Sequence, residues 1–262
     1  MQQFTSNIFF KFALLSMFAF GFSFTSVASN TTEPSSHLAA TLELVELEAQ
    51  EGDQQLQLFL GNAYLFGEQG VEQDLLKAIY WLEMAANGDP QVQKMLGGLF
   101  QRGIGFPKDK EQAFTWYMKA ANSGDIEAME AVAAFYATGQ VETEQNCVDA
   151  ISWYRTAAEQ GSLLSRRNLV WLYATCPDPE QRNGEKALKL AKQLIVRLPE
   201  VDASDLDNLA AAYAACGEFD MAVDTQSKAL ASLGSDDMAQ SRRMSFAKRL
   251  ETYKQKQVWI DN

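Results

Sequence analysis

The sequence predicts an all-α fold, a right-handed α-α superhelical solenoid of stacked helix-turn-helix repeats. A helical phrase occurs three times, as KAIYWLEMAANGD at 77–89, EQAFTWYMKAANSGD at 111–125 and VDAISWYRTAAEQGS at 148–162. Each copy sets a tryptophan (Trp81, Trp116, Trp153) four residues before an Ala-Ala pair and then reaches a glycine. Counted from Gly52, these glycines (Gly88, Gly124, Gly161) are 36, 36 and 37 residues apart. A fixed period of that size marks helix pairs that bury their apolar faces only against their neighbours. No alternating, strand-like stretch of any length competes with this pattern.

The first 28 residues differ in character from the rest of the chain. Lys11 is the only charge before Glu33, and residues 12–24 (FALLSMFAFGFSF) are almost wholly apolar. Ser26-Val27-Ala28 offers small residues where a signal peptidase reads, so residues 1–28 are expected to be a signal peptide cut after Ala28. The protein is then periplasmic or secreted. The apolar run falls short of the roughly 20 residues that span a bilayer, so a membrane association requires an uncleaved segment. Cleavage removes one positive charge and takes the net charge from −12 to −13. A body so acidic repels nucleic acid and anionic lipid surfaces.

Residues 29–36 (SNTTEPSS) read as a polar, disordered linker. Leu38, Leu42, Val45 and Ala49 then recur at helical spacing, which predicts an N-terminal capping helix over 37–52. Repeats one to three occupy 53–161. Asp53, Asp74, Asp89-Pro90, Asp109, Asp125 and Asn146 stand where N-caps belong. Gly67, Gly103 and Gly139 stand where a first helix ends and a left-handed residue is needed. Gly61, Gly97 and Ala133 fall mid-helix, where only a small side chain lets the partner helix cross closely. Tyr64, Phe100, Tyr136 and the three tryptophans fill the space between helices. Each aromatic burying roughly 150–250 Å2 contributes several kcal/mol, so they are core residues rather than a ligand cage.

This order of small residue, aromatic, glycine, Asp/Asn cap, alanine, tryptophan, Ala-Ala and glycine resembles the Sel1-like repeat, a branch of the tetratricopeptide superfamily, over residues 52–161. Repeat three departs from it at Gly139-Gln140-Val141, lacking the second glycine present as Gly70 and Gly105. Repeat one is a residue shorter between Trp81 and Gly88. Beyond Gly161, residues 168–194 and 207–230 resemble ordinary tetratricopeptide units, placing two such units over 162–233. Residues 234–262 read as a basic C-terminal capping helix and tail, with Met244, Phe246, Leu250 and Tyr253 inward and Arg242, Arg243, Lys248, Arg249, Lys254 and Lys256 outward.

The resemblance implies a non-catalytic scaffold that binds a protein or peptide, here in the cell envelope. Tetratricopeptide proteins that grip a terminal carboxylate use Asn, Lys and Arg on their first helices. Asn168 and Asn208, each five residues before a tyrosine, resemble the clamp's Asn, and Arg167 lies beside one of them. The matching positions in the first three repeats are Phe59, Met95 and Ala131, so the clamp is incomplete. No catalytic residue, metal or cofactor is expected. His37 is the sole histidine, and neither a CxxC nor a phosphate loop occurs. Ser245-Phe-Ala-Lys248 spells the Ser-x-x-Lys of penicillin-recognising enzymes without its companion elements. Some exported Sel1-like proteins resemble weak β-lactam-binding or cell-wall hydrolases, which makes that the alternative function.

Of Cys147, Cys176 and Cys216, the latter two stand in equivalent positions, three residues after Tyr173 and Tyr213. An oxidising compartment favours a Cys176–Cys216 bridge. The spacing of neighbouring helix axes, about 8–10 Å, opposes it, because bridged Cα atoms lie within about 7 Å. The sequence leaves this pairing open. If it forms, Cys147 is a packed thiol behind its Asn146 cap.

Overall fold

The structure is a computed structural model that describes residues 34–140, 146–234 and 237–261. The expected signal peptide, residues 1–28, and residues 29–33 of the expected linker lie outside them. The described residues contain twelve helices and no strand, an all-α helical-repeat solenoid. They fall into two compact units, one ending at Asn87 and one beginning at Gly88.

The first unit holds α1 (Pro34–Gln50), α2 (Gln54–Phe66) and α3 (Leu75–Ala85). Helix α1 begins inside the expected linker. Asp53 caps α2 by accepting from the amides of Gln55 and Leu56, at 3.1 and 3.2 Å. Leu60, Ala63, Tyr64 and Leu65 of α2 are buried, as are Ala78, Trp81, Leu82 and Ala85 of α3. A Cβ at Gly61 would come within 2.6 Å of Leu82, so the predicted close crossing is present. Helix α1 is tied on by polar contacts. Gln57 donates to the Ala49 carbonyl at 2.8 Å, and the Tyr64 hydroxyl donates to Glu46 at 2.5 Å. Burial raises the Tyr64 pKa, with Glu46 adding to the shift.

The second unit holds α4 (Pro90–Arg102), α5 (Lys110–Asn122), α6 (Ile126–Thr138), α7 (Cys147–Glu159), α8 (Leu163–Thr175), α9 (Gly184–Arg197), α10 (Ala203–Ala215), α11 (Phe219–Ala231) and α12 (Asp237–Lys254). Here Gly97 of α4 abuts the Tyr117 ring of α5, where a Cβ would sit 2.8 Å from the ring. Alanines dominate the core, among them Ala113, Ala120, Ala128, Ala157, Ala187, Ala191, Ala210 and Ala222. Small side chains let helices approach until the aromatics interdigitate.

One bond recurs through the helix pairs and defines their geometry. The residue capping each second helix donates its amide to the carbonyl of the first helix's aromatic: Asp74 to Tyr64, Asp109 to Phe100, Asn146 to Tyr136, Asn183 to Tyr173 and Glu218 to Tyr213, all at 2.7–3.0 Å. The bond fixes the turn, and in the first four pairs it satisfies a helix-end carbonyl, whereas the Tyr213 carbonyl also accepts the Cys216 amide at 3.1 Å. The bond appears in the pairs α8–α9 and α10–α11 as well as in the three tryptophan repeats. A wide connection (Tyr173 to Asn183) and a tight one (Tyr213 to Glu218) reach the same geometry.

Successive first helices of this unit are joined by carboxylates. Gln91 and Lys94 of α4 reach Asp125 at the head of α6, at 2.6 and 3.3 Å. Ser162 and Ser165 at the start of α8 donate to Glu130 of α6. Arg167 of α8 pairs with Asp205 of α10.

Candidate functional site

Helix α8 starts at the Ser162 cap, whose hydroxyl accepts the Ser165 amide at 2.9 Å. Arg167, Trp171 and Thr175 follow at intervals of four, which places them on one face. Helix α10 starts with a capping box between Asp202 and Asp205. Asp205 then takes Arg167 through two bonds, Nε at 2.6 Å and Nη2 at 2.9 Å. Two residues on, buried Asp207 takes Arg249 of α12 in the same forked manner, both bonds at 2.8 Å, and accepts Gln226 of α11 at 2.7 Å. Burial raises the Asp207 pKa, while Arg249 and Gln226 pull it back down.

Arg249 is therefore an inward residue, 8% exposed, and its guanidinium lies among the rings of Phe246, Trp171 and Trp259 at 4.9, 5.2 and 5.9 Å. This corrects the outward placement expected of it. Met244, expected inward, is 69% exposed. The buried face of α12 runs through Phe246, Arg249 and Tyr253. Past α12 the chain returns to α8. Asp261 accepts the Trp171 indole N–H at 2.8 Å and donates its own amide to the Thr175 carbonyl at 2.9 Å, an end-of-helix acceptor.

The residues proposed for a peptide clamp are spent inside the fold. Arg167 is held by Asp205. Asn208 donates to the Arg167 carbonyl at 3.2 Å. Asn168 hydrogen-bonds the Tyr154 hydroxyl of α7. The structure thus brings Arg167 and Asn208 together at the α8–α10 contact and places Asn168 on the α7–α8 contact.

Burial pushes Tyr154 up to about 12, with Glu130 adding to the shift and Asn168 opposing it. Since the folded pKa exceeds the unfolded value near 10, the stability linked to this group is fully present below pH 10 and is lost as pH rises through 12. Denaturant unfolding from pH 9 to 12 should show wild type losing about 2–3 kcal/mol more than Tyr154→Phe, at about 1.4 kcal/mol per pH unit. Parallel curves would refute this.

The disulfide joins Cys147 and Cys176, with Cα atoms 6.3 Å apart, and Cys216 is the free thiol. The Cys176–Cys216 pairing that the sequence left open does not form, and Cys147 is no packed thiol. The equivalence of Cys176 and Cys216 is the reason. Each closes a first helix and faces the start of the preceding second helix, at Cys147 for one and Gly184 for the other. A Cβ at Gly184 would meet the Cys216 amide nitrogen at 2.9 Å. Cys216 lines an open depression of about 680 Å3 with Gly184, Leu188, Lys189, Lys192 and Glu218. Burial, then Glu218 and Glu185, raise its pKa, which keeps the thiol protonated and a poor nucleophile.

The Sel1 repeat family matches residues 55–90, 90–125 and 126–162. This is a Sel1 repeat protein. The chitin synthase regulator SKT5 of Saccharomyces cerevisiae is 39% identical over 83 residues, 31% of this chain and 12% of that protein. The ERAD-associated E3 ubiquitin-protein ligase component HRD3A of Arabidopsis thaliana is 33% identical over 64 residues, 24% of this chain and 9% of that protein. The chain thus spans only a small part of the curated relatives it matches. A crystal structure of a Sel1 repeat protein from Oxalobacter formigenes shares 35% identity, covering 49% of this chain and 96% of that one with a TM-score of 0.41.

In this Sel1 repeat protein the Ser245 and Lys248 side chains are exposed on α12. Lys248 lies over the Trp259 ring, at 5.2 Å. Among the described residues no helix is long and apolar enough to cross a membrane, and no group of His, Cys, Asp or Glu is arranged to hold a metal. Sequence reasoning missed Trp171, Asp205, Asp207, Arg249, Trp259 and Asp261. The available signal was the pair Asp205 and Asp207 in an otherwise alanine-rich helix, together with the indoles Trp171 and Trp259.

Proposed function

We propose that this Sel1 repeat protein is a non-catalytic scaffold of the cell envelope whose first-helix face binds an extended segment of a protein partner. One observation carries this reading: the face of α8 already holds a non-helical stretch of polypeptide, residues 257–261, through a backbone hydrogen bond and an indole–carboxylate bond. A preformed rigid face of this kind orders a partner's segment at little entropic cost to itself. The names of the relatives, a ligase component and a synthase regulator, agree with a binding role. The envelope location draws on the apolar segment at 12–24 and on the Cys147–Cys176 bond, which persists in an oxidising compartment.

The test is photo-cross-linking in intact cells from a probe placed at exposed Leu164 on α8, with the native protein's first residue determined alongside. A defined adduct that weakens on Trp171→Phe, from a protein beginning at Ser29, is the expected result. Ser245-dependent hydrolysis of nitrocefin with no adduct would overturn the reading.

A further inference from the structure

The way α12 ends is unusual. The Lys256 amide bonds the Tyr253 carbonyl at 2.9 Å and the Gln257 amide bonds the Thr252 carbonyl at 3.1 Å, the pattern that ordinarily carries glycine at the left-handed position. Here that residue is Lys256, with φ at 57°. A side chain in this conformation is strained, and such strain persists where surrounding contacts hold it. What holds it is the next five residues. Lys254 to Gln257 are exposed, whereas Val258 to Asp261 are half-buried. Trp259 packs against the cluster containing Val170, Tyr213 and Tyr253.

The grip on this segment is small and specific: one indole, one backbone bond at Thr175 and one carboxylate on the Trp171 N–H. It is also an imperfect fit. The Trp259 indole N–H is buried with no hydrogen-bond partner among the described residues, an arrangement that disfavours the docked state. The contacts define what the site recognises. The Arg249 guanidinium and the Lys248 ammonium face an aromatic ring, and the Trp171 N–H receives an acidic group two residues later.

We infer that residues 257–261 are a resident, displaceable occupant of the α8 face, and that its external ligand is an extended segment of a partner protein with an aromatic residue followed two positions later by Asp or Glu. This rests on the scaffold reading and adds its ligand chemistry and its regulation. The chain's own segment competes with the partner, so the site is held closed until a better-fitting or locally concentrated segment displaces it.

The probe is the fluorescein-labelled peptide Lys-Gln-Val-Trp-Ile-Asp, measured by fluorescence polarisation against the full chain. Asp261→Ala removes the resident carboxylate while leaving Trp259 in place, and it should bind the peptide at least tenfold more tightly than wild type does. Trp171→Phe on that background keeps the ring but not the donor and should reverse most of the gain. Replacing the peptide's Trp or Asp with Ala should do the same. Trp259→Ala, the second releasing variant, should also bind more tightly than wild type.

Equal affinity for wild type and both released variants would overturn the inference, as would no binding to variants whose far-UV circular dichroism is unchanged. A concentration-dependent dimer abolished by Asp261→Ala would instead make the occupant a second copy of this chain and overturn it too. Loss of peptide binding with the cellular adduct retained removes this inference alone. Loss of both removes the scaffold reading as well.

Discussion

Asp207→Ala is expected to destabilise the second unit by about 3–5 kcal/mol, the cost of leaving a buried charge without its partner. Arg249 is 8% exposed and held between three rings, so its guanidinium cannot turn to water without dragging α12 off α10. The Gln226 amide loses its acceptor at the same time, although it retains a 3.2 Å bond to the Phe246 carbonyl. The destabilisation should fall mainly on the C-terminal elements, so urea unfolding ought to show an earlier phase that carries the Trp171 and Trp259 fluorescence. Asp207→Ala combined with Arg249→Leu should recover most of the loss, since an apolar replacement of both partners removes the charge instead of orphaning it. If the single and double variants unfold at the same denaturant concentration, the pair does not hold α12 in place.

What the sequence disclosed depended on how far apart the interacting residues are. The caps at Asp53, Asp74, Asp89, Asp109, Asp125 and Asn146 all form, because a cap is decided within three residues of itself. Gly61 and Gly97 make the close crossings predicted for them, because a repeat states the same local geometry several times over. Arg249 departs from the outward face that its charge suggests, because its position on α12 faces inward. Successive residues advance about 100° around a helix, so Met244 lies about 200° from Phe246, whereas Arg249 and Tyr253 share its face. Only the complementary charge on another helix makes that position habitable for an arginine, and Asp207 lies 42 residues away. The Trp171–Asp261 bond spans 90 residues, and no period in the sequence announces it. The intramolecular partners of Arg167, Asn168 and Asn208 were hidden for a related reason. Their resemblance to a binding motif is positional, while the groups that engage them, Asp205, the Arg167 carbonyl and Tyr154, lie on other helices.

Breaking the Cys147–Cys176 bond should cost roughly 3.5 kcal/mol on the chain-entropy account, given the separation of 29 residues. Cys147 is the first residue of α7 and Cys176 the residue that closes α8, so the bond clasps these antiparallel helices at the end opposite their short Gly161 connection. Covalent closure at the far end constrains the unfolded chain across the whole α7–α8 pair. It also fixes the end of α8 to which Asp261 docks, at Thr175. Reduction should therefore lower the midpoint of unfolding and loosen the 257–261 segment, read as faster tryptic cleavage at exposed Lys254 and Lys256. Cys147→Ser with Cys176→Ser should reproduce both effects without reductant, and Cys216→Ser should reproduce neither, since Cys216 is already free. Thiol titration of denatured, unreduced protein provides the decisive count. One reactive thiol is expected before reduction and three after, and three at the outset would mean the clasp does not exist.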